Sequence, residues 1–187
     1  MILASRSPRR KELLASCGVE FSIYDADVEE LTADCGVALE QLPVQNALLK
    51  ARCVADRFPA ELVLGADTMV ICDGRALGKP GDLEESFRML KMLSGKSHEV
   101  ITGVALVCKG KNFSEVWSEV SRVKFKLLSD ADIREYTSLV NTLDKAGAYA
   151  VQEHGELIID RFDGELENII GLPLIRLKQL LHELLQK

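Results

Sequence analysis

Two groups of residues in this sequence are of the kinds that handle charged phosphates. The first is Ser5-Arg6-Ser7-Pro8-Arg9-Arg10-Lys11, directly after the apolar run Met1 to Ala4. That run reads as a strand. Ser7 suits a helix N-cap, and Pro8 suits the first helical position, where its missing N–H costs nothing. Arg9, Arg10 and Lys11 then fall in the first turn of a helix. Free N–H groups already make that end partly positive, so cations there are unfavourable unless something anionic sits on them. A strand, a serine-rich turn, a helix N-terminus and an arginine pair suit a phosphate. Solvated surface cations are the other reading of the same residues.

The second group centres on Asp67, which interrupts the apolar run LVLGADTMVIC of residues 62–72. An ionised carboxylate buried without a partner costs several kcal/mol or more, so Asp67 calls for a cation, a metal or a network. A salt bridge or turn hydrogen bond at a strand end satisfies the same need. Gly65-Ala66 before it leave room for another group to approach the backbone closely. The loop DADVEE offers Asp25, Asp27, Glu29 and Glu30 as further carboxylates, although most acidic loops are simply solvated. Two carboxylates around Mg²⁺, with arginines and lysines beside them, are the equipment for cutting a phosphoanhydride. Lys50 ends the amphipathic stretch NALLKA, a usual place for a surface lysine. Lys79 lies in a stiff loop between Gly78 and Pro80, which favours a positioned cation. Asp144-Lys145 form another charged pair. His98, at a strand start, reads as structural.

The elements that must carry these residues follow from periodicity. Helices are expected at about 8–16, closed by Gly18, and at 40–58, 83–93, 129–139 and 173–185. Strands are expected at 19–24, 61–72, 75–77, 98–107, 116–127 and 157–162. Asp25 to Glu30, residues 143–152 and residues 168–171 read as loops or connections. Asp73-Gly74 and Asp163-Gly164 are turn signals, and hairpins exclude an all-parallel sheet. Leu174, Leu177, Leu180, Leu181 and Leu184 recur at helical spacing and read as core. Strands and helices alternate, so the class is α/β with a mixed sheet.

Composition narrows the function. At 187 residues the chain is expected to form one domain, with room for two lobes around one sheet, and 47% hydrophobic residues suffice for a real core. A net charge of −6 argues against general nucleic-acid or anionic-membrane binding, so any phosphate-binding cations must be concentrated locally. No apolar run approaches a membrane span, and the N-terminus has no signal-peptide pattern, so the expected location is the cytoplasm. The five cysteines are odd in number and contain no CxxC pair; they read as reduced and mostly buried, and three histidines add no zinc site.

Taken together, LASRSPRRKELL, DADVEE, LVLGADTMV, LGKP, LSGKSHEVITGVAL, LDKAGAYAVQ and IIGLPL resemble the Maf family of nucleoside triphosphate pyrophosphatases. The segments run in family order over nearly the whole chain. The resemblance implies hydrolysis of a nucleoside triphosphate to the monophosphate and pyrophosphate with a divalent metal, Mg²⁺ or Mn²⁺, in a homodimer. It implies an elongated mixed sheet with flanking helices in two lobes around a cleft. By position, Asp67 is similar to the residue that activates water and Glu30 to its acidic partner at the metal. Arg10, Lys50 and Lys79 match the cations that hold the triphosphate, with Ser5 beside them. Arg9, Thr68 and Gln152 match the branch preferring dTTP and UTP. A primary amide both donates and accepts, as the imide edge of uracil or thymine requires. Where the family often has glycines, Ala150 and Glu153 flank Val151-Gln152, and Glu153 adds bulk and charge beside the expected base pocket. The other functions open to such a chain are hydrolysis of 7-methyl-GTP or another base, and nucleotide binding without turnover in cell-division control.

Overall fold

In the computed structural model, which describes residues 1–185, helix α1 (Pro8–Ala15) follows strand β1 (Ile2–Leu3) through the expected turn. Ser7 is its N-cap, accepting from the Arg10 N–H at 3.5 Å, with Pro8 at the first position. The other helices are α2 (Leu42–Arg57), α3 (Leu83–Leu93), α4 (Asp130–Leu139), α5 (Gly155–Ile158), α6 (Leu166–Ile170) and α7 (Ile175–Leu185). The strands are β2 (Ser22–Ile23), β3 (Val63–Cys72), β4 (Arg75–Leu77), β5 (Ser97–Cys108), β6 (Phe113–Phe125) and β7 (Ile159–Asp163). They form one seven-stranded sheet in the order β2-β1-β3-β5-β6-β7, with β4 paired to β3. β1 is parallel to both β2 and β3, whereas β3–β4 and β6–β7 are antiparallel, so the sheet is mixed and helix-flanked as expected.

Two compact units share the chain. One comprises Met1–Asp67, Thr102–Glu119 and the residues from Leu166 on; the other comprises Thr68–Ile101 and Val120–Glu165. In the first, the period of two sorts side chains to opposite faces of the sheet. Leu3, Leu64 and Leu106 pack with Leu14 of α1 and with Leu177 and Leu181 of α7. Ile2, Val63 and Ala105 pack with Ala47, Ala51 and Val54 of α2. Each such leucine buried from water contributes about 1.5–3 kcal/mol. Of the expected leucine stripe, Leu174, Leu177 and Leu181 are core and Leu180 packs against them, while Leu184 is half-buried. Gly65 and Gly103 let α2 lie directly on the sheet: a Cβ at Gly65 would fall 2.2 Å from the Ala47 carbonyl oxygen, and one at Gly103 would fall 2.2 Å from the Pro43 carbonyl carbon.

In the second unit α3 and α4 pack together, and Leu90, Leu93, Phe125, Ile133 and Tyr136 are buried. Ser129 and Asp132 form a reciprocal capping box at α4. Asp73 and Gly74 both take positive φ (49° and 70°), closing the β3–β4 hairpin.

Several boundaries differ from the sequence reading. The strand expected at 19–24 is only Ser22–Ile23, an edge strand limited by the two residues of β1 it pairs with. α2 begins at Leu42 after a 3₁₀ turn (Leu39–Gln41), and ends at Arg57 because Phe58, before Pro59, leaves the helical region (φ −128°, ψ 66°). Leu157 and Ile158 belong to a helical turn, which His154 enters from a left-handed conformation, so the strand starts at Ile159. Residues 166–170 form α6, taking in the first part of the connection expected at 168–171, and Gly171 (φ 125°) ends it. The five cysteines are free thiols; Cys72 and Cys108 are buried, but Cys35 is exposed. Among the described residues no helix is long and apolar enough to cross a membrane.

Candidate active site

In the first unit the close approach of α2 to β3 at Gly65 brings Asn46 and Lys50, one helical turn apart, against Asp67. Lys50 donates to Asp67 Oδ1 at 2.8 Å and to Glu30 Oε1 at 2.7 Å. The side chains of Lys50 and Asp67 are only 11% and 12% exposed, but Glu30 is 54% exposed, so the cluster opens to solvent on the Glu30 side. Of the four DADVEE carboxylates it is Glu30 that reaches the lysine, while Asp25 turns to Arg6. Lys50 is thus a buried, doubly paired cation and not a surface lysine.

Arg10 is half-buried next to this cluster. Its Nε donates to the Gly171 carbonyl at 2.8 Å, and Nη1 reaches Ser5 Oγ at 3.4 Å. Desolvation lowers its pKa, and the charges of Asp67 and Glu30 pull it back up. Its neighbour Arg9 pushes it down. Two cations and two carboxylates therefore compensate one another in a site that is buried at Lys50 and Asp67 and open at Glu30. Ser5 Oγ also accepts the Ser7 N–H at 3.2 Å, which fixes the turn ahead of α1.

Asn46 is the residue that sequence reading missed. Its Oδ1 accepts the Leu31 N–H at 2.7 Å; its Nδ2 donates to the Leu31 carbonyl at 3.1 Å and to Asp67 Oδ2 at 3.2 Å. The orientation of the amide is dictated, since a carboxylate facing it can only accept. The available signal was an asparagine four residues before a lysine within an otherwise apolar helix face.

The second unit carries the remaining candidates. Thr68 follows Asp67 on β3 and is half-buried. Lys79 is exposed, on a loop pinned at both ends: the Gly78 carbonyl accepts from the Gly147 N–H at 3.0 Å, and the Gly81 N–H donates to Glu85 at 2.7 Å. Gln152 is exposed on the turn after Ala150. The Tyr136 hydroxyl accepts the Ala150 N–H at 3.0 Å and donates to the Ala150 carbonyl at 3.3 Å. Burial pushes that hydroxyl up to about 12, and the Tyr149 hydroxyl higher still. Glu153 is held by the buried Lys145 at 3.1 Å, which also grips Asp144 at 2.9 Å and the Asn141 carbonyl at 2.6 Å. The charge that Glu153 adds near Gln152 is thereby paired. His98 is structural: its Nε2 meets the Tyr149 hydroxyl at 2.8 Å, its ring packs edge-on to Phe125 and Tyr149, and burial lowers its pKa to about 4.

Among the described residues, no group of three or more His, Cys, Asp or Glu side chains is arranged to hold a metal. Glu30 and Asp67 supply two hard oxygen donors converging on one nitrogen. That set fits Mg²⁺ or Mn²⁺, which are commonly held by one or two carboxylates together with water and substrate phosphates.

A buried ammonium shared by two carboxylates beside a half-buried arginine has the chemistry that suits a phosphorylated anion. The Maf-like protein family matches residues 1–184, and the chain belongs to the Maf family. It is 47% identical over 174 residues to a protein of Akkermansia muciniphila named dTTP/UTP pyrophosphatase, covering 92% of this chain and 90% of that one. A Clostridioides difficile protein of the same name is 42% identical over 97% of this chain and 93% of its own. Another from Ruminiclostridium cellulolyticum is 41% identical over 100% of this chain and 97% of its own. Among solved structures, a HAM1 protein from Coxiella burnetii aligns with 66% of this chain and 71% of its own, at 18% identity and a TM-score of 0.46.

Proposed function

We propose that this chain is a nucleoside triphosphate pyrophosphatase that hydrolyses dTTP and UTP to the monophosphate and pyrophosphate. The observation that carries the reading is the Lys50 ammonium between Glu30 and Asp67, 2.7 and 2.8 Å from their oxygens, beside half-buried Arg10. Relatives more than 40% identical over nearly their full length carry that activity in their names.

In this reading Asp67 accepts the proton of the attacking water as the anhydride between the α and β phosphorus atoms breaks and pyrophosphate leaves. Lys50 holds the Asp67 carboxylate in place, so that no reorganisation is needed during the reaction. Arg10, half-buried and anchored by the Gly171 carbonyl, binds a phosphate with its guanidinium already oriented. Ser5 and Arg9 flank it in the turn and first helical residues. Glu30 and Asp67 would hold the divalent cation; when bound it neutralises polyphosphate charge and acidifies water. Thr68, Lys79 and Gln152 are assigned to substrate by the family resemblance: Lys79 to the phosphates, Thr68 and Gln152 to the pyrimidine base. The chain acts as a single functional domain, a homodimer in the cytoplasm, serving the nucleotide pool.

Incubation with Mg²⁺ or Mn²⁺ and a panel of triphosphates tests this. Pyrophosphate release fastest from dTTP and UTP is expected. Orthophosphate as product, faster turnover of 7-methyl-GTP, or tight nucleotide binding without turnover would overturn the reading. Sedimentation at micromolar concentration checks the dimer.

A further inference from the structure

We propose that Asn46 is a positioning residue that sets the spacing between the Glu30 and Asp67 carboxylates. It is buried to 2% exposure in α2, and nothing in its local sequence needs an amide there. An asparagine inside a helix is mildly unfavourable, and a buried amide is costly unless every group is matched. Here the match is complete on both sides. One face of the amide makes a two-point clamp on the backbone N–H and C=O of Leu31. Its remaining N–H reaches Asp67 Oδ2, the oxygen that Lys50 does not take.

The consequence is mechanical. Leu31 directly follows Glu30, at the end of an acidic loop that carries no regular structure between residues 24 and 32. Without a tether, the backbone of such a loop wanders, and the Glu30 carboxylate with it. The clamp fixes that backbone to rigid α2, and the same side chain fixes the rotation of the Asp67 carboxyl group. One amide therefore registers two carboxylates from separate segments. Lys50, whose long side chain is adaptable, neutralises them but cannot by itself hold the loop backbone. The geometric half of this inference stands on the hydrogen bonds alone; the catalytic half rests on the pyrophosphatase reading.

Three proteins test it: the natural chain, Asn46→Ala and Asn46→Asp. The aspartate keeps an acceptor for the Leu31 N–H but loses both donors and places a negative charge against Asp67. Amide hydrogen exchange at Leu31 reads the clamp without any substrate. It should accelerate at least about tenfold in Asn46→Ala and stay near the natural rate in Asn46→Asp. With dTTP, kcat should fall about 10–100-fold in Asn46→Ala, the range typical of residues that orient such ligands, and at least as far in Asn46→Asp, with KM changed less than about threefold in both. Unaltered Leu31 exchange in Asn46→Ala would overturn the tether. A kcat within threefold of natural in a folded Asn46→Ala protein, or a rise in KM at constant kcat, would overturn the positioning role. If the natural chain fails to turn over dTTP and UTP, it is the pyrophosphatase reading that fails, and the exchange rates still decide the tether.

Discussion

The two units each hold a polar cluster with a buried centre, and the clusters are built on opposite principles. In the first, Lys50, Asp67, Glu30 and Arg10 are ions, made tolerable only by one another. In the second, His98, Tyr149 and Tyr136 are neutral groups held by hydrogen bonds and packed rings. Neutral clusters are what a fold uses to pin backbone, and here they pin residues 149 and 150 ahead of Gln152. An ionic cluster is a poor way to gain stability, because a well-packed apolar replacement is often as good or better. Its presence points to chemistry that needs charges held ready.

Breaking the ionic cluster on one side should produce the largest stability effect. Lys50→Met leaves Asp67 with its main cation gone, and a urea midpoint should report a loss of about 3–5 kcal/mol. Adding Asp67→Leu should restore most of that stability while activity stays absent. Failure of the double variant to recover would mean the cluster is structural after all.

The neutral cluster should be broken by acid. Folded His98 titrates at about 4 and an unfolded histidine near 6.5. Below pH 6.5 the unfolded chain therefore takes up a proton that the folded protein refuses, and stability falls as pH drops from 6.5 to 4. The full window corresponds to about 3 kcal/mol. Denaturant titrations at pH 7 and pH 4.5 should show that extra loss in the natural chain and not in His98→Gln.

A smaller effect is expected from Tyr136→Phe, which removes the hydroxyl that both accepts from and donates to Ala150. The loss is about 1–3 kcal/mol by thermal melting. The ratio of dTTP to 7-methyl-GTP turnover should fall while kcat for dTTP changes little. An unchanged ratio would separate the 149–152 segment from base choice.

The contrast also explains what could be read in the sequence. Ser7 and Pro8 announced the start of α1 because capping is local chemistry. Asp67 announced that it needed partners because an apolar run makes a carboxylate costly, and Gly65 announced a close approach that turned out to be α2. Which partners arrive is a tertiary fact. Nothing local separates Glu30 from Asp25, Asp27 or Glu29; the choice is made by where Asn46 grips Leu31. Lys50 read as a surface lysine because the helix pattern gives a face and not its neighbour. Leu157 and Ile158 read as strand because short apolar runs fit either period, and the left-handed His154 that decides it has no fixed sequence signature. Glu153 looked like an intruder beside Gln152 until Lys145, eight residues earlier, was seen to hold it.

The ions around Lys50 serve a reaction and not the fold. Replacing Asp67 by asparagine keeps the volume, and Lys50 keeps Glu30, so the melting temperature should move by no more than about 5 °C. Pyrophosphate release from dTTP by that protein, measured as kcat with saturating Mg²⁺, should fall about 10²–10⁴-fold. A folded Asp67→Asn protein that retains a kcat within tenfold of the natural chain would contradict the account.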